Sequence, residues 1–189
     1  MGRPKGFDPD AAVEQAMQVF WRQGYGATSP QDLLDELGIG KGSLYNAFGS
    51  KHELFARALR RYNERIDAEL AEMLERPGSV KERLGAALEG LVRADYAARR
   101  GCLAVNTAVE LPGSDEAVRL VRRMFDREEL VLRTMIEEGQ RSGELRRDVD
   151  AAAVASMLLS TIAGLRVLSK VTATPAPLDR AVGAIIALL

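Results

Sequence analysis

SPQDLLDELGIGKGSLYNAFGSKHEL, residues 29–54, reads as three helices separated by two very tight turns. Ser29 suits an N-cap, Pro30 fits the first helical position with its missing N–H, and Asp32 stands three residues beyond the cap. Leu33, Leu34 and Leu37 supply an apolar face, and Gly38 ends this helix where a left-handed backbone is allowed. A second short helix is expected from about Lys41 to Phe48, with Leu44 and Phe48 one turn apart facing inward. Gly49 stops it. Ser50 and Glu53 then form a second capping box and open a helix whose Leu54, Ala58 and Leu59 pack beneath the other two. The spacing is that of a helix-turn-helix with its supporting helix.

The chemistry of the stretch is polarised. From Leu37 to His52 there are two lysines and no acids, whereas the preceding helix carries Asp32, Asp35 and Glu36. The second helix therefore offers Lys41, Ser43, Tyr45 and Asn46, with Lys51 just beyond it. Lysines, hydroxyls and helix N-termini are partners for phosphate oxygens, and an asparagine pairs bidentately with adenine. Upstream, Arg3 and Lys5 flank Pro4 in a short polar arm of the kind that enters a minor groove beside a recognition helix.

Gly24-Tyr25, Thr28-Ser29, Asp32-Leu33, Leu37-Gly38-Ile39, Gly42-Ser43-Leu44-Tyr45, Phe48, Ser50-Lys51 and Glu53-Leu54 together resemble the DNA-binding domain of the TetR family of transcriptional regulators. The resemblance covers about the first 60 residues; beyond them it is one of size and all-helical plan, with Gly101-Cys102-Leu103-Ala104-Val105-Asn106 similar to one subgroup. It implies that Thr28, Lys41, Gly42, Ser43, Tyr45 and Lys51 fall where members of the family touch DNA. Two positions depart from the pattern: Asn46 and Ala47 occupy the space where a second aromatic or a histidine is common, and Leu34 stands where a small alanine is common.

With 189 residues, 47% hydrophobic and 28% charged, the chain is long enough to bury a full core. A net charge of −1 removes any global basic signature, so DNA binding must be a local patch. One cysteine excludes an intrachain disulfide framework, and the basic start is not followed by an apolar run, which reads as a reduced, cytoplasmic protein without a signal peptide. No uncharged apolar stretch approaches the ~20 residues of a membrane span.

The helix from about Asp10 to Gln23, with Asp8 or Asp10 at its start, places Val13, Met17 and Phe20 on one face. A helix of roughly 25 residues runs on from Leu54 to Pro77-Gly78 and bridges the two halves of the chain. Ser79 and Glu82 form a third capping box for a helix to about Arg99; a short helix follows from Cys102 to Leu111, and another is capped by Ser114 and runs to about Ser142. The run from Asp150 to about Thr172 is apolar nearly all round except for Arg166 and, near its end, Lys170, and a last helix ends at Leu189. Such helices need cover on more than one face, and pairing two copies as a four-helix bundle provides it. The expected fold is all-α, with about nine helices: a helix-turn-helix domain over residues 1–52 and a ligand-binding and dimerisation bundle over residues 53–189. The expected dimer interface is Met157, Leu158, Ile162, Leu165, Leu168, Ile185 and Ile186.

Tyr96, Asn106, Glu110, Phe125 and Arg166 are polar or aromatic residues set in mostly apolar helices, the mixture a small-molecule pocket needs. Cys102, near a helix N-terminus, joins them as a candidate oxidant or electrophile sensor. His52, the only histidine, lies in the DNA-facing string, which leaves no His for a catalytic triad and no His or Cys cluster for zinc. No phosphate-cradling GxxxxGK[ST] loop is present, so neither a catalytic centre nor a cofactor or metal site is expected. The expectation is a homodimeric repressor on a palindromic, double-stranded DNA operator, released by a small, mostly apolar effector and not associated with a membrane. A DNA binder without small-molecule input, a helical protein-interaction adaptor and a carboxylate-based enzyme are the other readings open at this point.

Overall fold

The computed structural model describes residues 7–111, 113 and 115–189; Arg3, Lys5 and the Ser114 cap lie outside them. Among the described residues the chain forms nine helices and no strand: α1 (Pro9–Gln23), α2 (Pro30–Leu37), α3 (Lys41–Phe48), α4 (Lys51–Glu75), α5 (Val80–Ala98), α6 (Leu103–Glu110), α7 (Asp115–Ser142), α8 (Ala151–Leu168) and α9 (Ala176–Leu188).

The local start signals act as the sequence implies. The Asp8 carboxylate caps α1 through the Asp10 N–H. In the capping box of α2, the Asp32 N–H donates to the Ser29 hydroxyl at 3.1 Å and the Ser29 N–H to the Asp32 carboxylate at 2.7 Å. Ser79 and Glu82 close the same reciprocal box on α5. On α4 the box is only half made: Ser50 accepts from the Glu53 N–H, but the Ser50 N–H donates to the Phe48 carbonyl. Gly38 ends α2 at φ +62°, in the left-handed region where a side chain would be strained.

Two apolar cores share this framework. The first gathers α1, α2, α3, the first two-thirds of α4, α6 and the start of α7 around Phe20, Leu33, Leu44, Phe48, Phe55 and Tyr62. The second joins α5, the later part of α7, α8 and α9 around Leu84, Leu88, Met135, Leu158 and Leu165. Helices α4 and α7 run from one core into the other. The division at residue 52 therefore falls inside α4, whose hydrogen bonding is continuous from Lys51 onward.

Buried polar groups fasten the elements. The Trp21 indole N–H donates to the Gly101 carbonyl at 2.7 Å, and the Asn63 amide donates to the Leu120 carbonyl at 3.1 Å. Arg83, 4% exposed, donates to the Leu74 carbonyl and pairs with Glu138, tying the end of α4 to α5 and α7. Gly101, at φ +63°, sits where an added Cβ would lie 2.9 Å from the Arg166 carbonyl, so the α5–α6 link can rest on α8 only as glycine.

Helix α8 corrects part of the expected interface. Leu158, Ile162 and Leu165 are buried against their own chain, as is Ile185 on α9, and Ile186 packs near Gly85 of α5. The outward apolar side chains are Met157 and Leu168 together with Val167, Val171 and Leu188. A helix apolar all round hides which face is inward, and α7 takes the Leu158 face. By length and composition α8 also reaches that of a minimal membrane span, although Arg166 ends its charge-free run at residue 165. Its inner face is nonetheless packed, with Arg166 buried within the fold.

Phe20 is fully buried and meets Phe55 edge-on at 5.0 Å between ring centroids. Phe20→Ala should destabilise the protein by about 3–5 kcal/mol, read as a fall in the urea midpoint with little change in slope.

Candidate nucleic-acid interface and effector cavity

Helix α3 is held from below by two residues. Leu44 and Phe48 are 2% exposed and face the core, which turns Lys41, Gly42, Ser43, Tyr45 and Asn46 outward. Gly40 precedes α3 without a side-chain cap, so among the described residues no side chain caps the first N–H groups of the helix. The acids of α2 are engaged elsewhere. Asp32 is held below the usual carboxylate range by hydrogen bonds from Ser29, Asp35 accepts from Gln31, and Glu36 pairs with Arg22 at 3.1 Å.

Lys51 sits at the first turn of α4 with its Nζ 4.2 Å from the centroid of the Tyr25 ring. Partial burial lowers its pKa, against the opposing pull of Glu110 and Asp32. Tyr25 in turn packs on Phe55 and meets His52 edge-on, so the lysine stands on an aromatic pedestal.

Thr28, expected where members of the family touch DNA, has its side chain turned inward. It is fully buried, and its hydroxyl donates to the Gly24 carbonyl at 2.6 Å, closing the α1–α2 turn from within.

Of the six residues expected to hold a ligand, one lines the cavity. That cavity, about 520 Å³, lies between α4, α5, α7 and α8, with Arg166 in its wall. The Tyr96 hydroxyl donates to the Ala173 carbonyl in the α8–α9 loop, and the Asn106 amide donates to the Arg100 carbonyl while accepting from Lys170. Phe125 packs on the first core. Cys102 is buried, with the Tyr62 hydroxyl 3.3 Å from its sulfur, beside the cavity wall rather than in it.

Glu110 lies away from the cavity and has another task. Its carboxylate, at the end of α6, accepts from the backbone N–H groups of Tyr25, at 2.9 Å, and Gly26. It thus joins the bundle directly to the turn that leads into α2.

The sequence reading missed Trp21, Arg65, Asp95, Arg100 and Glu128, all of which line the cavity. A signal existed for two of them. Glu128 continues the buried Val121-Met124 stripe toward Leu132, and Asp95 continues the Leu84-Leu88-Val92 stripe of α5, so each is an acid where an apolar residue belongs. Burial raises the pKa of both carboxyls.

Residues 12–58 match the profile of bacterial regulatory proteins of the tetR family, and residues 81–185 match that of the tetracyclin repressor-like C-terminal domain. The chain belongs to the TetR family of transcriptional regulators. Among TetR-family relatives, an uncharacterized HTH-type transcriptional regulator of Bacillus subtilis (strain 168), YezE, is 37% identical over 177 residues, 92% of this chain and 91% of the relative. The transcriptional repressor ComR of Escherichia coli (strain K12) is 31% identical over 179 residues, 88% of this chain and 81% of its own. A cysteine-substituted form of the TetR-family regulator CifR, complexed with a 26 bp double-strand operator DNA, superposes with a TM-score of 0.84 at 31% identity, covering 98% of each chain.

Glu110→Ala should release the amides of Tyr25 and Gly26. Their hydrogen exchange is expected to quicken roughly tenfold, consistent with the loss of one charge-assisted hydrogen bond, while the unfolding midpoint moves little.

Proposed function

We propose that this regulator is a homodimeric repressor that docks α3 in the major groove of each half of a palindromic operator and leaves it when a small, mostly apolar molecule fills the cavity. The reading is carried by α3, whose outward face is rich in donors and free of acids while both of its large apolar residues are sunk in the core. It is supported by the CifR likeness, which extends over nearly the whole chain to a regulator on its operator. Residues to about 52 serve as the reading head; the remainder carries effector binding and dimerisation. In this role the protein works in the cytoplasm, beside the chromosome, and as a regulator rather than an enzyme.

Tyr45 and Lys51 position the protein on phosphates, and Ser43 and Asn46 approach base edges. Gly42, exposed and with open space where a Cβ would stand, lets a phosphate approach the α3 backbone. Two heads on a rigid dimer enter successive grooves only about 34–36 Å apart. Helix α4 lines the cavity with Arg65, Ile66, Leu70 and Met73 and begins at Lys51 beside the groove. A ligand that favours a tilted α4 misplaces both heads. A ~100-fold preference for that conformer supplies about 2.7 kcal/mol, and linkage makes the operator weaken ligand binding equally.

The dimer surface assigned here is the outer stripe of α8, where Met157 and Leu168 stand among Ala153, Ser160 and Gly164, together with Leu188 of α9. Small residues between a few large apolar ones let two helices approach closely.

Two experiments test this reading. Lys51→Ala should weaken binding to every duplex and reduce the slope of log affinity against log salt by about one, whereas Asn46→Ala should cost about 1–3 kcal/mol mainly at one base position; an unchanged salt slope removes Lys51 from the phosphate contacts. Met157→Glu with Leu168→Glu should give a folded monomer in sedimentation that no longer binds a palindrome specifically. A wild type that is monomeric at micromolar concentration refutes the dimer.

A further inference from the structure

The cavity has two unlike ends. Leu70, Met73, Leu88, Leu132 and Ile162 line one part, where α4 and α5 approach the Pro77-Gly78 turn that joins them. At the other, Arg65 of α4, Asp95 and Arg100 at the far end of α5, Glu128 of α7 and Arg166 of α8 converge beside the Trp21 indole. The Arg100 and Arg65 guanidinium groups lie 3.6 and 4.6 Å from the Trp21 ring centroid.

The hydrogen-bond account of this polar end does not close within the chain. Arg166 is 9% exposed, and among the described residues its guanidinium makes no hydrogen bond. The near acid, Asp95, is 3.9 Å from its Nε, beyond hydrogen-bond range. The Nε groups of Arg65 and Arg100 are also buried without a hydrogen bond, although Arg65 Nε is ion-paired with Glu69 at 3.4 Å and Arg100 donates to Gln18 through another nitrogen; one carboxylate oxygen, Oδ2 of Asp95, is in the same condition. The excess is of donors. Burial raises the pKa of the Asp95 and Glu128 carboxyls, and for Arg166 the cost of burial is opposed by the acidic groups around it.

A carboxylate is the group that answers this arrangement. It is planar, brings two acceptor oxygens, and matches a guanidinium edge bidentately. A protonated amine seated beside Arg166 would have the guanidinium groups of Arg65 and Arg100 as further neighbours.

We propose that the cavity receives a monoanionic amphiphile, a carboxylic acid with an aliphatic or aryl body, whose carboxylate seats on the Arg166 guanidinium and whose body lies along the apolar part between α4, α5 and α7. A cavity of about 520 Å³ suits a body of roughly ten carbon atoms. The inference rests on the reading of this cavity as the effector site and adds the chemistry of its occupant.

Trp21 is the only tryptophan, so its fluorescence reports on the polar end without a label. The full-length protein would be titrated with decanoate, decanamide and decylamine, and with 4-phenylbutyrate and its amide. The expected result is that each acid shifts the emission and binds at least about tenfold more tightly than its amide, with the amine weakest. Arg166→Gln should abolish the preference for acid over amide, and Arg166→Lys should restore part of it. Equal binding of acid and amide, preferred binding of the amine, a preference that survives Arg166→Gln, or no response to any probe overturns the proposal. Should Arg166→Gln fail to fold, Glu128→Gln decides: removing an acid that competes for Arg166 should tighten decanoate binding, and unchanged or weaker binding overturns the assignment. Operator affinity measured with each probe separates the two readings. Acids that bind through Arg166 but leave operator affinity unchanged uphold the ligand class and refute the effector role; amides that bind and release the operator where acids do not uphold the effector role and refute the ligand class.

Discussion

Helix α4 belongs to two cores at once. Its first half, through Leu54, Phe55, Leu59 and Tyr62, is the floor under α1, α2 and α3, and its second half, through Ile66, Leu70 and Met73, is a wall of the cavity. Twenty-five residues of unbroken helix transmit a tilt without absorbing it, because bending costs backbone hydrogen bonds along the whole ladder. Under the proposed switch, an occupant of the cavity would act on the reading head through a rigid body. The packing that makes this effective is aromatic: Phe20, Tyr25 and Phe55 interlock above α4, and Trp21 and Tyr62 meet edge-on beneath them.

The near-neutral charge of the chain is consistent with this division of labour. A protein with a uniformly basic surface would hold DNA through counterion release regardless of sequence. Here the cations near the groove are few, the acids of α2 are engaged by Ser29, Gln31 and Arg22, and several arginines, among them Arg60, Arg61 and Arg127, are paired with acids over the outside of the bundle.

What could be read from the sequence was what is decided locally. Ser29 with Asp32, Ser79 with Glu82, and the glycines after α2 and α3 place helix ends through contacts three or four residues long, and those ends stand where the pattern puts them. Which way a helix faces depends on what it meets, and α8 shows the limit. Its composition marks it for double cover, yet nothing in residues 151–168 says that Leu158 goes to α7 and Met157 to the outside. The cavity was harder still, since Trp21, Arg65, Asp95, Glu128 and Arg166 come from five helices and meet only once the bundle closes. Cys102 and Asn106 drew notice for their chemistry, but the fold uses one beside a tyrosine and the other as a strut to Arg100.

Glu110 gives the head a second attachment, and two attachments constrain motion differently from one. Helix α6 is entered through Gly101, which rests on the Arg166 carbonyl and accepts from the Trp21 indole, and ends at the carboxylate that grips Tyr25 and Gly26. It is a rod of about 12 Å set beside one of about 37 Å. A body carried on one rod can swivel freely; a body carried on two rods of unequal length is a crank, and follows a single path. In the proposed switch, displacements near Arg166 would reach the recognition helix with a defined direction as well as a size, so occupants of different bulk would set it at different points along one arc.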